Sequence, residues 1–268
     1  SSSINAMCYV RGVPADYDGW AAGGADGWDW DSVLPWFRHS EGNARGADAL
    51  HGGDGPLSVS DLRHVNPLSQ AFIEAGVQAG FVRNDDFNGP GQQGVGLYQV
   101  TQRDGARCSV AVAYLDPARP RPNLVIRTGA LAHRVLLERG RAVGVEYARG
   151  GRVETARATR EVLLCGGAIN SPQLLMLSGI GPAAHLRQMG IGIVADRPGV
   201  GANLQDHMEL YIQQESLQPI TLYSHLGLFS KALIGAQWLF FKTGLGASNH
   251  FEAAAFLRSA AGVEYPDI

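Results

Sequence analysis

The chain has 268 residues, which is enough to bury a hydrophobic core in one or two domains. Its hydrophobic fraction of 45% and charged fraction of 18% exclude an intrinsically disordered chain, and its net charge of −3 argues against a nucleic-acid partner. Three cysteines at unrelated spacings indicate a reducing compartment, with neither a disulfide framework nor a zinc site.

A tryptophan-rich segment lies near the start of the chain, between Asp16 and Glu41. Four tryptophans in so short a span could form a nucleic-acid-binding or sugar-binding stripe. However, the pairs Val33–Leu34 and Trp36–Phe37 have the spacing of a helix face packed on a core. Core packing is therefore the preferred interpretation of this segment.

The following segments alternate short elements with turns. A strand is predicted over residues 57–60 and helices over residues 66–80 and 107–115. The apolar face expected for the helix over 66–80 consists of Leu68, Phe72, Ile73 and Val77. The pair Asp85–Asp86 lacks a third ligand at sensible spacing, so a solvated turn is expected there and no metal site.

Residues 124–165 carry the clearest strand signals. Strands are predicted over 123–128, 133–138, 142–148 and 152–158. The sequences Arg139-Gly140-Arg141 and Gly150-Gly151 are typical of tight hairpin turns between such strands. An antiparallel meander is therefore expected in this part of the chain. A further strand is predicted over residues 209–215, from its alternating pattern.

The stretch from Arg160 to Pro182 combines a strand signal, two glycines and a helix signal. Val162 to Cys165 is typical of a buried strand, and Cys165 is expected to be a buried small hydrophobe. Gly166 and Gly167 follow, and Ser171-Pro172 is expected to open a helix. Such a unit presents free N–H groups that suit an anion, although it also occurs with a packing role alone.

Two motifs resemble the signatures of one enzyme family. Gly167-Ala168, Ser171-Pro172 and Ser178-Gly179-Ile180-Gly181 together are similar to the second signature of the glucose-methanol-choline (GMC) flavin oxidoreductases, and Ser1 to Gly12 is similar to the first. The resemblance covers essentially the whole chain. It implies a mixed α/β (α+β) fold, namely an FAD-binding GMC-type fold with a β-meander, plus part of an antiparallel-sheet substrate domain.

The resemblance also implies a division into domain segments. Residues 1–65 would form a flavin-covering loop and part of the FAD domain, and residues 66–115 part of the substrate domain. Residues 116–205 would belong to the FAD domain with its meander. Residues 206–268 would begin the substrate-domain sheet.

FAD is the cofactor that the resemblance implies, and six residues match the family's contacts to it. They are Asn5, Ala6 and Met7 in the loop, Ala132 in the meander, and Gly166 and Gly167 at the glycine turn. Some relatives bond the flavin covalently through a histidine, and Ile4 takes that place here, so FAD is expected to be held non-covalently. From the residues alone, Ala132 could equally be a small residue that fills a strand.

Two functional features of the family, its dinucleotide fingerprint and its catalytic histidine, have no counterpart in these residues. No G-x-G-x-x-G dinucleotide fingerprint follows a strand, and the family's catalytic histidine is expected beyond Ile268. No catalytic residue is therefore assigned in this chain. His207, in a segment that resembles the family's GVG-x-x-LQDH motif, is given a supporting role at most. The chain is interpreted as an internal segment of a longer enzyme and is expected to be inactive by itself.

Glu252 is the candidate substrate-binding residue. The residues alone favour a carboxylate at an exposed edge or a partner for an arginine. However, Ser248 to Ala253 resembles the choline-oxidising members of the family, in which a glutamate contacts the trimethylammonium group. A quaternary ammonium needs negative charge and aromatic faces, such as those of Phe251 and Phe256.

The resemblance as a whole implies FAD-dependent oxidation of a primary alcohol by hydride transfer to flavin, with choline converted to betaine aldehyde in glycine betaine biosynthesis. A quinone is the expected electron acceptor. Two alternatives stay open, a GMC dehydrogenase for another alcohol and a non-catalytic binding module. A cytoplasmic location is expected, and peripheral contact of the apolar helix predicted over 226–241 with the inner face of the membrane is an open option.

Overall fold

A computed structural model describes residues 2–268 of the chain, so that Ser1 of the first signature lies outside the described residues. The described residues divide into two compact units. The first unit comprises residues 2–124 and 214–268, and the second comprises Val125–Gln213. The segment predicted to hold the meander, residues 116–205, lies mostly in the second unit. Which unit forms an FAD domain and which a substrate domain stays a prediction.

Helices and strands are short in both units. The helices are α1 (Pro14–Ala22), α2 (Trp30–Ser40), α3 (Pro67–Gln78), α4 (Asp116–Ala118), α5 (Gly167–Leu177), α6 (Ala183–Gln188) and α7 (Leu228–Phe241). The strands are β1 (Glu41–Asn43), β2 (Leu57–Val59), β3 (Gly94–Leu97), β4 (Gln102–Arg103), β5 (Ala106–Arg107), β6 (Ala130–Glu138), β7 (Arg141–Arg149), β8 (Arg152–Arg157), β9 (Ile180–Gly181), β10 (Ala195–Asp196) and β11 (Ala253–Phe256).

The first unit is built from small sheets that pair distant parts of the chain. β1 and β2 are parallel, and β11 pairs antiparallel with β3, so that Ala253 lies opposite Leu97 and Phe256 lies opposite Gly94. Helix α3 packs on this second pair. A Cβ at Gly76 would come within 2.8 Å of Val95 Cγ1, so only glycine allows the helix this close to the sheet. The β3–β11 pair sets the position of Glu252, which directly precedes β11.

Helix α3 confirms the helix predicted over residues 66–80, but not its predicted apolar face. Asn66 caps the helix by accepting a hydrogen bond from the Leu68 N–H at 2.9 Å, and Pro67 occupies the first helical position. Ile73 is buried, whereas Leu68 and Phe72 are exposed. The face turned to the sheet is instead narrow and contains Ile73 and Gly76, because the helix approaches the sheet through its small residue.

The core packing predicted for the tryptophan-rich segment is wrong for most of its tryptophans. Tyr17 and Val33 are the buried hydrophobic residues here, whereas Trp20, Trp28 and Trp36 are each more than half exposed. Successive residues of a helix are turned by about 100°, so Trp36 does not share the inward direction of its neighbour Phe37. The Phe37 ring lies 5.6 Å from that of Tyr17.

The second unit contains the predicted meander, in which β6, β7 and β8 pair antiparallel in chain order. Its two turns have positive φ at both central positions, 51° and 77° at Arg139 and Gly140, and 56° and 77° at Gly150 and Gly151. These values suit the type I′ turns that join twisted hairpins. Residues 123–128, however, form no strand, and that prediction is wrong.

The strand predicted over Val162–Cys165 is also absent. These residues pair with no strand within the described part of the chain, and Cys165 is exposed, not buried. Helix α5 begins at Gly167, four residues before the predicted opening at Ser171. The Ser171 hydroxyl instead accepts a hydrogen bond from the Gly166 N–H at 3.0 Å, inside the first turns of the helix.

Three further predictions have mixed outcomes. Residues 209–215 are exposed and form no strand, because the described residues give them no partner. In the helix predicted over 107–115, the first residue belongs to β5, and wide helical turns run only from Ala111 to Leu115 before α4. Helix α7 confirms the helix predicted over 226–241. None of the helices between residues 2 and 268 is long and apolar enough to span a bilayer.

Candidate functional site

The loop Asn5–Met7 is held through three successive backbone carbonyls. Arg107 Nη1 donates to the Asn5 carbonyl at 2.7 Å, and Asn249 Nδ2 donates to the Ala6 carbonyl at 2.8 Å. The backbone N–H of Thr101 donates to the Met7 carbonyl at 2.8 Å. The donors come from distant parts of the first unit, so its folding determines the orientation of every peptide plane in this loop.

Holding the carbonyls also determines where the loop's N–H groups point. In a planar trans peptide the N–H is directed opposite to the carbonyl. No acceptor for the N–H groups of Ala6 or Met7 lies among residues 2–268. Met7 has a left-handed φ of 64°, which is strained for a side chain of this type. A strained loop with two unpaired donors is suited to a ligand with hydrogen-bond acceptors, such as the flavin that the resemblance implies.

Cys8 follows the loop and shares its polar partner. Asn249 Nδ2 lies 3.4 Å from Cys8 Sγ, and the thiol also lies 3.6 Å from the Phe251 carbonyl. Burial raises the pKa of the Cys8 thiol, and the hydrogen bond from Asn249 only partly offsets that effect. The group therefore stays a neutral thiol at physiological pH, which argues against a nucleophilic role.

The segment Ser248–Glu252 forms a tight hook. Ser248 Oγ accepts the His250 N–H at 2.9 Å, and Asn249 Oδ1 accepts the Phe251 N–H at 3.3 Å. His250 has a φ of 62° at the tip. Ser248, Asn249 and Glu252 are buried while the two residues at the tip are exposed. Such short-range side-chain to backbone bonds are the usual way that serine and asparagine stabilise turns.

Glu252 is buried and its carboxylate has three donors. Oε1 accepts from Ser248 Oγ at 2.5 Å, and Oε2 accepts from the Asn66 N–H at 2.5 Å and from Ser69 Oγ at 2.9 Å. Asn66 and Ser69 belong to the N-terminus of α3, where the helix dipole favours a negative charge. The sequence left two structural alternatives for Glu252, a carboxylate at an exposed edge and a partner for an arginine. Neither is seen, because Glu252 is 6% exposed and makes no ion pair with an arginine of residues 2–268.

The two aromatic residues expected beside Glu252 have different surroundings. Phe251 is exposed at the tip of the hook. The Phe256 ring packs against Phe87, with centroids 4.9 Å apart, and lies 6.4 Å from the ring of Tyr98. Phe251 therefore has an open face for a ligand, while Phe256 belongs to an aromatic cluster.

A buried charged network supports the chain just after the loop. Arg11 Nη2 lies 2.5 Å from Glu41 Oε2, and both side chains are almost fully buried. His51 lies between two carboxylates, with Nδ1 3.0 Å from Glu41 Oε1 and Nε2 3.0 Å from Asp86 Oδ2. The described residues contain no cluster of three or more His, Cys, Asp or Glu suited to a metal ion.

In the second unit, a groove of about 450 Å³ brings together two of the predicted cofactor residues, Ala132 and Gly166. Ala132 contributes from β6 and Gly166 from the turn before α5. The groove's polar side chains are Asn170, Ser171 and Gln173. The hydrogen bond from the Val135 N–H to Ser178 Oγ, at 2.8 Å, ties β6 to the end of α5 and so fixes the two walls relative to each other.

Gly167 lies at the first position of α5. Its φ of 84° is readily adopted only by glycine, although a Cβ there would meet no atom within 4 Å. No side chain caps the N-terminus of α5. The turn thus keeps backbone N–H groups accessible, which fits a phosphate-bearing cofactor.

The predicted site residues are divided between the two units. Asn5, Ala6, Met7 and Glu252 lie in the first, and Ala132, Gly166 and Gly167 lie in the second. His207 is exposed, and its only contact with Asp206 is a hydrogen bond from its backbone N–H to the Asp206 side chain at 2.8 Å. No side-chain dyad forms there.

Sequence reasoning missed the residues that hold the loop. Thr101 donates to the Met7 carbonyl mainly through its backbone N–H, at 2.8 Å, with its hydroxyl at 3.3 Å, and no motif marks this position. Arg107 stands at the end of a two-residue strand, in a segment predicted as helix. Only Asn249 carried a signal, because it belongs to the same family-like run as Glu252.

Comparisons with known proteins identify the class to which this fold and site belong. The family model described as GMC oxidoreductase matches residues 1–209. A solved FAD-dependent oxidoreductase from Chaetomium thermophilum superimposes with a TM-score of 0.83 at 30% identity, over 94% of this chain and 47% of that one. The fold is therefore that of a flavin-dependent oxidoreductase, and the chain belongs to the GMC oxidoreductase family.

Two similar relatives carry the same name. The oxygen-dependent choline dehydrogenase of Brucella anthropi is 58% identical over 268 residues, which are 100% of this chain and 49% of that protein. The oxygen-dependent choline dehydrogenase of Sinorhizobium fredii is 56% identical over 269 residues, with the same coverage. The chain thus spans about half the length of the curated relatives that it matches.

Proposed function

We propose that this chain forms part of an FAD-dependent enzyme that oxidises choline to betaine aldehyde, the first step towards glycine betaine. The observation that carries the proposal is the 58% identity to a choline dehydrogenase across all 268 residues. Oxidation of the alcohol removes a proton from the hydroxyl group and a hydride from the adjacent carbon. The group that accepts the proton is expected outside these residues.

The residues present fit FAD at two places. The unpaired N–H groups of Ala6 and Met7 are available to a flavin, and the groove containing Ala132 and Gly166, with Gly167 beside it, is suited to a phosphate-bearing cofactor. FAD, when bound, supplies the acceptor for the hydride. We propose non-covalent binding, because the side chain of Ile4, at the position where some relatives have a histidine, has no group able to form the bond.

Glu252 is proposed to provide the negative charge that attracts the choline head group. A quaternary ammonium has no N–H and cannot compete for hydrogen bonds, so a carboxylate whose oxygens already have donors still attracts it through charge. The three donors to Glu252 keep the carboxylate in a fixed place. The exposed ring of Phe251, one residue away, offers an aromatic face for the same cation.

The test uses the full-length protein that contains these residues. Its visible spectrum is recorded, and its kcat/KM is measured for choline and for 3,3-dimethylbutan-1-ol, the uncharged carbon analogue of choline. We expect bound-flavin absorption and a preference for choline of roughly tenfold or more, since one desolvated cation–π or charge contact is worth about 1–2 kcal/mol. A flavoprotein that oxidises both alcohols equally would instead be a dehydrogenase for another substrate, and a colourless folded protein would contradict the whole proposal.

The electron acceptor and the location are also proposals. The sequence led us to expect a quinone, whereas the relatives' name specifies oxygen. An oxygen electrode, with and without an added quinone, distinguishes the two acceptors. We propose a cytoplasmic location with peripheral contact at the membrane, supported by the exposed apolar residues Leu228, Phe229 and Phe240 of α7. Fractionation of cells that express the full-length protein tests this.

A further inference from the structure

The hook Ser248–Glu252 touches both parts of the first unit that the proposed function uses. Glu252, at its end, carries the carboxylate proposed for the head group. Asn249, three residues earlier, donates to the Ala6 carbonyl in the loop proposed to contact the flavin. One short, hydrogen-bonded segment therefore connects the two.

The side-chain amide of Asn249 is fully used. Its Nδ2 group lies 2.8 Å from the Ala6 carbonyl, 3.0 Å from the Phe251 carbonyl and 3.4 Å from Cys8 Sγ. Its Oδ1 accepts the Phe251 N–H at 3.3 Å. The amide is 7% exposed, so no solvent molecule can easily replace these partners. Exchanging the O and N atoms would break the contacts to the Ala6 carbonyl and to the Phe251 backbone, which fixes the orientation of the amide.

Resting on the proposed function, we infer that Asn249 is a positioning residue. Its bond to the Ala6 carbonyl keeps the N–H of Met7 directed at the bound flavin, and its place in the hook ties that orientation to the segment that carries Glu252. Asn249 contacts neither flavin nor substrate in this account. It acts through the loop.

The strain in the loop explains why one bond can matter. Met7 has a left-handed φ of 64°, a conformation that costs a residue with a side chain about 1–2 kcal/mol. That conformation persists only while the surroundings hold the loop. Releasing the Ala6 carbonyl lets the Ala6–Met7 peptide rotate, although Arg107 and Thr101 still hold its neighbours. The loop should then lose its orientation without unfolding of the unit.

The experiment compares Asn249→Ala and Asn249→Ser with the wild type in the full-length holoenzyme. Asn88→Ala is the matched control. Asn88 is also 7% exposed, and its amide also donates to a backbone carbonyl near the start of the chain, that of Tyr9 at 2.8 Å, but outside the loop. The measurements are FAD affinity, the visible spectrum of the flavin, melting temperature, and the limiting rate of flavin reduction and dissociation constant for choline from anaerobic stopped-flow mixing.

For Asn249→Ala we expect FAD affinity to fall by about five- to tenfold, as for one lost hydrogen bond, together with an altered flavin spectrum. The limiting reduction rate should fall about 10- to 100-fold, because small misplacements of reacting groups are costly. The dissociation constant for choline should change by less than about threefold, since Glu252 keeps its own three donors. In Asn249→Ser, FAD affinity and the limiting reduction rate should lie between those of wild type and those of Asn249→Ala. The control should lower the melting temperature but leave the flavin properties unchanged.

Two results would overturn the inference while the proposed function stands. One is wild-type FAD affinity, spectrum and reduction rate in both Asn249 variants. The other is an equal loss of these properties in Asn88→Ala, which would make the effect a general loosening of the fold. If an Asn249→Ala protein does not fold, the Asn249→Ser variant alone decides between these results. A wild-type protein that binds no flavin or does not oxidise choline overturns the proposed function itself, and this inference with it.

Discussion

Arg11 and Glu41 form an ion pair with almost no solvent exposure, so water stabilises neither charge. Removing one partner of such a pair leaves an unpaired buried charge, which typically costs about 3–5 kcal/mol. Arg11→Met should therefore lower the free energy of unfolding by about that amount, measured by urea denaturation.

The matched control is Arg83→Met. Arg83 pairs with Glu74 at the surface, where both side chains are about half exposed. Exposed pairs contribute between about 0 and 1 kcal/mol, so this variant should be almost neutral. Equal losses in the two variants would show that burial does not set the strength of the Arg11–Glu41 pair.

Glu252 allows a second test with one substitution. In the full-length enzyme, Glu252→Gln removes the charge and turns one acceptor of hydrogen bonds into a donor that faces other donors. We expect kcat/KM for choline to fall by roughly 10- to 100-fold and kcat/KM for uncharged 3,3-dimethylbutan-1-ol to fall much less. A parallel loss for both alcohols would mean that Glu252 only anchors the N-terminus of α3.

The Cys8 thiol gives a pH-dependent prediction. Burial raises its pKa above the ordinary range of a cysteine, so the unreactive thiol form persists to higher pH. The rate of Cys8 alkylation by iodoacetamide, followed by mass spectrometry of its peptide, should keep rising with pH beyond the ordinary thiol pKa of about 8.5. A plateau near the ordinary thiol pKa of about 8.5 would contradict the burial described here.

Elements defined by local chemistry could be predicted from the sequence, and elements defined by distant partners could not. The Arg139–Gly140 and Gly150–Gly151 turns and the helix over residues 66–80 each depend on a few adjacent residues, and the sequence predicts each of them. Residues 162–165 and 209–215 have strand-like patterns, but a strand needs a neighbour, and the described residues provide none. Contacts in the candidate site could not be predicted for the same reason, because the hydrogen bond between Asn249 and Ala6 joins residues that are far apart in the sequence.

The turn into α5 offers a test at the scale of an element. Gly167 has a φ of 84° and open space around its Cβ position, so Gly167→Ala should cost about 1–2 kcal/mol through backbone strain alone. Gly192 in the same unit also has open space but no positive φ. Gly192→Ala should therefore be neutral or stabilising by up to about 1 kcal/mol. Thermal melting compares the two, and equal effects would show that the conformation of Gly167 is not required.

In the whole molecule, the predicted site residues fall in both compact units. The loop and Glu252 belong to one unit, and the groove with Ala132 and Gly166 belongs to the other. Family membership could be recognised from motifs in each unit, because both signatures are local runs. The residues that hold the loop could not be recognised from the sequence, because they act through backbone atoms or across long stretches of chain.

We propose that these residues serve a flavin enzyme that oxidises choline. The most direct measurement is the visible spectrum of the full-length protein without oxygen, before and after choline is added. We predict flavin absorption bands that choline bleaches within the mixing time of a manual experiment. Bands that persist in excess choline, or a folded protein without such bands, would contradict the account.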